Sequence, residues 1–358
     1  MTKHLVPLTI TSPERKRRAL PAVRFFVYEY LSAVGPALPA SLLQEGWAML
    51  RAVAKDLAQI PGALVRTLLN PCFASPPPGC HAETLHPDDE ERTFRRLARW
   101  ADFSLIIAPE FDGLLHTRCR WVEEEKGQLF GPSSQAVACC ADKLTLSCRL
   151  RASGVPMPEC CPASQCDLRF PIICKPRCGA GSQATFLVGD RADLAKVVET
   201  AAQEGWAGEM MCQRFVPGYA ASVAFLIGPK ETLALVPAAQ HLSEDGRFRY
   251  GGGSVPLAAE LAERAIRVAR SAVDSVSGLR GYIGVDVVLG ETDWVMEINP
   301  RLTTSYLGLR ALAEANLGEM MVRIVRGEES GPPRWRPGVV HFAPLAISSK
   351  PTDGRPWA

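Results

Sequence analysis

The chain has 358 residues, 47% hydrophobic and 22% charged. That is an ordinary globular composition, which excludes wholesale disorder and predicts two or three packed units. Forty basic against 38 acidic residues leave a formal charge of +2, too balanced for a nucleic-acid or membrane-surface partner. No apolar run approaches the roughly 20 residues that span a bilayer. The first residues lack the apolar stretch of a secretory signal, so a cytoplasmic location is expected. The 12 cysteines form no C-x-x-C pair and the 6 histidines are scattered, so reduced thiols are expected rather than a structural zinc site.

Residues 1–21 read as a polar tail carrying Arg15-Lys16-Arg17-Arg18 and ending at Pro21. A strand is predicted over Val23–Tyr30, then a helix capped by Ser41, with Glu45 near its start, running to about Ala58. A second strand follows at Ala63–Leu69, and residues 71–86, with three consecutive prolines, read as a surface loop. A helix at about Asp88–Trp100, an apolar strand at Phe103–Ala108 and a helix at about Leu114–Lys126 complete the unit. Strands alternating with helices predict parallel βαβ units in a small Rossmann-like domain over 22–130. Ligands of such sheets sit at the carboxyl ends of the strands. Glu29 and Glu110 lie at two of those ends, either as substrate contacts or as solvated strand-end residues.

From Gly131 the pattern becomes mixed α+β with antiparallel hairpins. One helix is predicted at about Gln135–Ala152, with others near 191–204, 256–277 and 305–326. Strand-like stretches fall at 171–176, 184–188, 209–216, 221–227, 233–236, 281–289 and 294–299. This unit extends to about 327, and a Pro-rich extension over 328–358 holds one strand-like run, Val339–Ile347.

The richest signal is Gly281–Leu289 followed by Trp294–Arg301. Ile283, Val285, Val287 and Leu289 share one face of the first strand, leaving Gly284 and Asp286 on the other. In the second, Trp294, Met296 and Ile298 face one way, and Val295, Glu297, Asn299 and Arg301 the other. A hairpin with Leu289 opposite Trp294 sets Asp286 directly across from Glu297, where two carboxylates repel. A solvated face would explain the alternation but not that like-charge pair. A divalent cation removes the repulsion, and two acids with the Asn299 amide form an oxygen set suited to Mg²⁺ carrying phosphates.

Lys175 ends the apolar strand Phe170–Lys175 and precedes Pro176-Arg-Cys-Gly-Ala-Gly-Ser-Gln183. Backbone N–H groups of such a turn approach phosphate oxygens, and the lysine supplies charge. Gly179–Ala184 formally matches the G-x-G-x-x-A fingerprint, but that fingerprint must open a helix. Here the strand-like Thr185–Val188 follows, so the loop is a hairpin tip. A P-loop and the protein-kinase elements are absent from the sequence.

Taken in order, Lys143, Lys175, the Gly179–Gly181 loop, Gln213–Gly218, Asp286 and Glu297-x-Asn299-x-Arg301 resemble an ATP-grasp enzyme over about Ala22 to Gly327. The resemblance implies a Rossmann-like pre-ATP-grasp domain, then a two-subdomain ATP-grasp fold over 131–327 with a lid at about 155–212. It also implies residue roles. Lys143 and Lys175 would hold ATP phosphates, with Gly179, Ala180, Gly181 and Ser182 closing over them. Gln213, Arg214, Phe215 and Val216 would form the hinge beside adenine. Asp286, Glu297 and Asn299 would bind one or two Mg²⁺, with Mn²⁺ as a substitute, and Arg301 would serve the phosphoryl transition state. Many members carry an acid after the hinge Pro-Gly; here Tyr219-Ala220-Ala221 stands, leaving the ribose contact unassigned.

Phe26–Tyr30, Glu45–Leu50 and Glu297–Tyr306 further resemble the tyramine–glutamate ligases of methanofuran biosynthesis and their methylofuran-type bacterial relatives. This implies an ATP-dependent carboxylate–amine ligase working through an acyl phosphate, with glutamate as acid and a tyramine- or tyrosine-like amine. Its partners would be small molecules, with no nucleic acid or membrane; a homodimer is one of the states the sequence leaves open. The alternatives are a ligase for another amino acid or a nucleotide-binding protein without turnover. A biotin carboxylase is disfavoured, because no Met-Lys-Met carrier segment is present.

Overall fold

The alternation of the first third builds a layered α/β unit. In the computed structural model, which describes residues 23–35, 40–73, 75–343 and 346–350, β1 (Arg24–Glu29) is followed by α1 (Tyr30–Val34), α2 (Ala40–Ala58) and β2 (Leu64–Leu69). Then come β3 (Cys80–Thr84), α3 (Glu90–Trp100), β4 (Phe103–Ile107) and α4 (Leu114–Glu124). The four strands are parallel in the order β3-β2-β1-β4. β1 and β4 are apolar along almost their whole length because helices cover both faces of the sheet. Leu50, Val53 and Leu57 of α2 share a core with Phe25 and Val27; Phe94, Leu97 and Val122 meet Phe26 and Tyr28 on the other side.

Two expectations are corrected in this unit. β3 lies inside the segment read as a loop: Cys80-His-Ala-Glu-Thr84 has no apolar alternation and is a strand because its backbone pairs with β2. α2 is described from Ala40, so Ser41 lies inside the helix, and the residues just ahead of it fall outside those described.

The next segment holds α5 (Ser134–Ala141), α6 (Lys143–Ala152), β5 (Cys160–Pro162), β6 (Ile172–Pro176), β7 (Phe186–Val188), α7 (Arg191–Gln203) and β8 (Met210–Arg214). The stretch read as a single helix is two, broken at Asp142. That residue has an extended backbone, and its carboxylate accepts from the N–H groups of Leu144 and Thr145, capping α6. β5-β8-β6-β7 form an antiparallel lid sheet. Cys166, Cys174 and Cys212 are buried with Leu194 and Ala201 of α7 beneath it. All 12 cysteines are free thiols.

The remainder is one large antiparallel sheet. It comprises β9 (Tyr219–Ile227), β10 (Thr232–Ala234), β11 (Ala238–Leu242), β12 (Tyr250–Val255), α8 (Ala259–Asp274), β13 (Gly281–Leu289) and β14 (Trp294–Asn299). α9 (Ser305–Leu312), α10 (Leu317–Val325), β15 (Val339–Ala343) and β16 (Ala346–Lys350) end the described chain. The strand order is β14-β13-β9-β11-β12-β15-β16, with β10 also on β9. β11 and β12 were not legible; β12 reads Tyr-Gly-Gly-Gly-Ser-Val, which resembles a loop until its backbone is paired. The single helix expected near 305–326 is α9 and α10, and the run Val339–Ile347 is split between β15 and β16.

α5, α6 and α8 share a core with one face of this sheet. α9 and α10 pack on the other and meet α2. Asp56 of α2 pins that junction, accepting from Tyr306 Oη at 2.7 Å and Arg310 Nε at 2.8 Å, while its carbonyl accepts from Asn316 Nδ2 at 2.7 Å. The first unit is thereby tied to the large sheet, and a cavity lies among the large sheet, the lid and α2.

Candidate active site

The cavity floor is the β13–β14 hairpin. Gly284 pairs with Asn299, Val285 with Ile298 and Asp286 with Glu297. Beyond Asp286 the register slips, so Val288 rather than Leu289 opposes Trp294. This bulge corrects the expected facing. Val295 joins Ile298 in the core, while Met296 lines the cavity beside Glu297 and Asn299. On the neighbouring strand Ser222 and Ala220 stand opposite Asp286 and Val288, and their small side chains keep the floor open.

The two acids are differently charged by their surroundings. Asp286 accepts from Gln240 Nε2 at 2.8 Å and Asn299 Nδ2 at 3.0 Å. Burial, and then the facing Glu297, push its carboxyl above the usual range. Burial pushes Glu297 upward too, but the Lys143 and Lys175 ammonium groups outweigh it and hold Glu297 low. Lys143, the first residue of α6, lies 3.4 Å from Glu297 Oε2 and donates to the Gly179 carbonyl at 2.8 Å. Burial lowers the Lys175 ammonium below the ordinary lysine value, against the attraction of Glu297.

Lys143, Lys175, Asp286, Glu297, Asn299 and Arg301 all line one cavity of about 440 Å³. Gly179, Ala180, Gly181 and Ser182 border it, as do Gln213, Phe215, Val216 and Ala220. Arg214 is not brought in: its guanidinium lies 4.7 Å from the Trp294 ring centre, and it does not line the cavity. The glycine loop leads into β7 rather than a helix. Gly181 has φ +67°, and a Cβ there would stand 3.1 Å from Leu42 Cδ2, so the loop reaches α2 across the cavity mouth.

Arg301 is held from the first unit. Its Nε and Nη2 donate to the two Glu110 oxygens at 2.8 and 3.2 Å, and the side chains are 14% and 6% exposed. Glu110 is therefore neither solvated nor free. Glu29 does not line the cavity; it accepts from Leu31 N, Ser32 N and Ser32 Oγ and caps α1. Gln240, Phe248, Tyr250 and Glu45 line the cavity without having been marked as candidates for it. Glu45 comes from α2 and the other three from the paired β11–β12 segment, whose strands carry no apolar alternation that marks them in the sequence. Thr303-Thr304-Ser305, which begins two residues past Arg301, also lines it, and that hydroxyl run was the one linear signal available.

Among the described residues no three His, Cys, Asp or Glu side chains are grouped to hold a metal ion. The candidate donors are two carboxylates and an amide, with Asp286 under-compensated for its charge. That hard-oxygen set fits Mg²⁺ that arrives with phosphate ligands, as Mg²⁺ does at sites lacking an all-protein cage.

Comparison with known families agrees with this layout. The pre-ATP-grasp domain family matches residues 65–137, and the ATP-grasp domain family matches residues 140–305. Together they mark an ATP-grasp domain preceded by its pre-ATP-grasp domain, the architecture of an ATP-grasp carbon–nitrogen ligase. The chain resembles the tyramine–L-glutamate ligase of Methanocaldococcus fervens, 27% identical over 64% of this chain and 67% of that enzyme. The tyramine–L-glutamate ligase of Methanocaldococcus jannaschii is 25% identical over 64% of this chain and 64% of its own length. About a third of each relative therefore lies outside the match. Its fold is also that of an ATP-grasp superfamily protein from Archaeoglobus fulgidus, with TM-score 0.68 and 24% identity over 92% of this chain and 100% of the other. Among the described residues no helix is long and apolar enough to cross a membrane.

Proposed function

We propose that this chain activates a substrate carboxylate as an acyl phosphate and joins it to an amine, with glutamate as the acid and a tyramine-like amine as acceptor in a methanofuran- or methylofuran-type synthesis. The observation that carries the reading is the convergence of Lys143, Lys175, Asp286, Glu297, Asn299 and Arg301 in one cavity. Lys143 and Lys175 would bind the polyphosphate and draw its charge toward the hairpin. The 179–182 loop would exclude water from it. Phe215, Val216 and Met296 offer an apolar slot for the base, leaving Arg301 at the phosphoryl end. Asp286, Glu297 and Asn299 would hold Mg²⁺, which when bound supplies charge neutralisation. The carboxylate oxygen attacks the γ-phosphorus as ADP leaves; the amine nitrogen then attacks the acyl carbon and phosphate leaves. Such transfer depends on positioning and electrostatics more than on covalent help from the protein.

The test is ADP release and product mass with ATP, glutamate and tyramine, each omitted in turn, beside a panel of other amino acids and amines. Turnover requiring glutamate and an arylethylamine supports the reading. Turnover with other pairs only would move it to a ligase of different substrates, and none with any pair would leave a nucleotide-binding protein.

A further inference from the structure

Resting on that ligase reading, we infer that Glu45 is the acceptor-amine site: it takes a protonated primary amine on an apolar or aromatic body and serves as the base when that amine attacks. Every other charged group of the cavity already has a role or a partner. Lys143 faces Glu297, Arg301 is clamped by Glu110, and Asp286 is held by Gln240 and Asn299. Lys175 lies in the field of Glu297. Glu45 lines the cavity with no cation within 4 Å among the described residues. Its one described hydrogen bond is accepted from the Thr304 hydroxyl, which leaves its second oxygen without a described partner.

Its position is set by packing. Gly46, the next residue, lies so close to the Glu29 carboxylate that no Cβ would fit, which lets α2 pack down against the end of β1. Thr304 stands three residues beyond Arg301, so Glu45 belongs to the phosphoryl end of the cavity rather than the hinge end. Its charge is felt by both Arg301 and Tyr250. Leu42, three residues earlier on α2, and the Tyr250 ring, which feels the Glu45 charge, give the carboxylate an apolar wall. A carboxylate beside such a wall suits an ammonium group carried on an aryl or alkyl body. In the second half-reaction the ammonium loses a proton to Glu45, and its nitrogen pair forms the C–N bond. The acyl C–O bond breaks with its electrons leaving on phosphate, which takes the second nitrogen proton as it departs and leaves the amide.

The test compares two acceptors in the full chain. Hydroxylamine, uncharged at neutral pH, traps an acyl phosphate without needing an ammonium site or a base. Glu45→Gln should keep glutamate-dependent hydroxamate formation close to wild type while kcat/KM for tyramine falls by about 10²-fold or more, the usual size of a lost general base. Glu45→Asp should recover part of the tyramine rate, and an unchanged thermal shift with Mg·ATP would show that both variants are folded. Equal loss of hydroxamate and amide formation, or loss of neither, would overturn the assignment. Absence of glutamate-dependent hydroxamate in the wild-type chain would overturn the proposed activity itself, and the amine site with it.

Discussion

Replacing Arg301 by Lys separates a transition-state residue from a binding residue. The guanidinium makes two contacts with Glu110, at 2.8 and 3.2 Å, from a side chain 14% exposed. Lysine keeps the charge but is a point donor without the planar fork, so the paired geometry is lost. One hydrogen bond to a charged group is worth about 1.5–3 kcal/mol. At about 1.4 kcal/mol per tenfold, that predicts a loss of roughly 10- to 150-fold. If the fork held by Glu110 aims the remaining guanidinium N–H groups at the reacting phosphoryl group, the loss falls on turnover, and nucleotide affinity changes little. Steady-state ADP release measures the first, and nucleotide titration followed by calorimetry measures the second. A loss of affinity at unchanged turnover would make Arg301 a nucleotide anchor. No change in either would make the Glu110 clamp purely structural and refute the reasoning.

Further outcomes follow from the same geometry. Glu110→Gln leaves a buried guanidinium without its countercharge, so the thermal midpoint should drop by the equivalent of about 3–5 kcal/mol; an unchanged midpoint would mean the pair is not closed in solution. Glu297→Gln should abolish most turnover in a folded chain, and Mg·ATP should stabilise the wild type more than ATP with EDTA, with equal shifts counting against the metal assignment. Hydrogen exchange over 178–183 should slow with Mg·ATP, because the loop spans from the lid to Leu42; identical protection would argue against closure. Burial raises the Glu29 carboxyl from its usual 4.5 to about 7, despite three hydrogen bonds that oppose the rise. The folded chain thus holds that proton more tightly than the unfolded one. The resulting stability, up to about 3 kcal/mol, is present below pH about 4.5 and fades as pH rises through about 7. Thermal midpoints from pH 5 to 8 should therefore show a slope that flattens in Glu29→Gln; parallel slopes would assign the dependence elsewhere.

The legible part of the site was local. Asp286 and Glu297 could be paired from alternation alone because side chains on adjacent strands alternate with period two, and Lys175 with its glycine loop is contiguous. Even there the bulge after Asp286 moved Met296 to the cavity and Val295 to the core, since one unpaired residue inverts the faces on its far side. Arg214 shows the opposite limit: it sits within the hinge run, yet stacking on Trp294 takes it out of the cavity.

The sequence by itself determined most elements apart from β3, β11 and β12, the parallel unit ahead of the antiparallel one, and the ordered set of basic, acidic and glycine positions that marks an ATP-grasp chain. These depend on periodicity and near-neighbour chemistry, which a linear string retains. Only the tertiary structure decided that Glu110 would clamp Arg301 from 191 residues away, that Gln240 on an unrecognised strand would hold Asp286, and that Glu45 would meet Thr304 at the phosphoryl end. No local pattern encodes those contacts. They arise because α2, α9 and α10 bury a common apolar core around Asp56, and that burial brings the carboxyl end of one sheet against the open face of another.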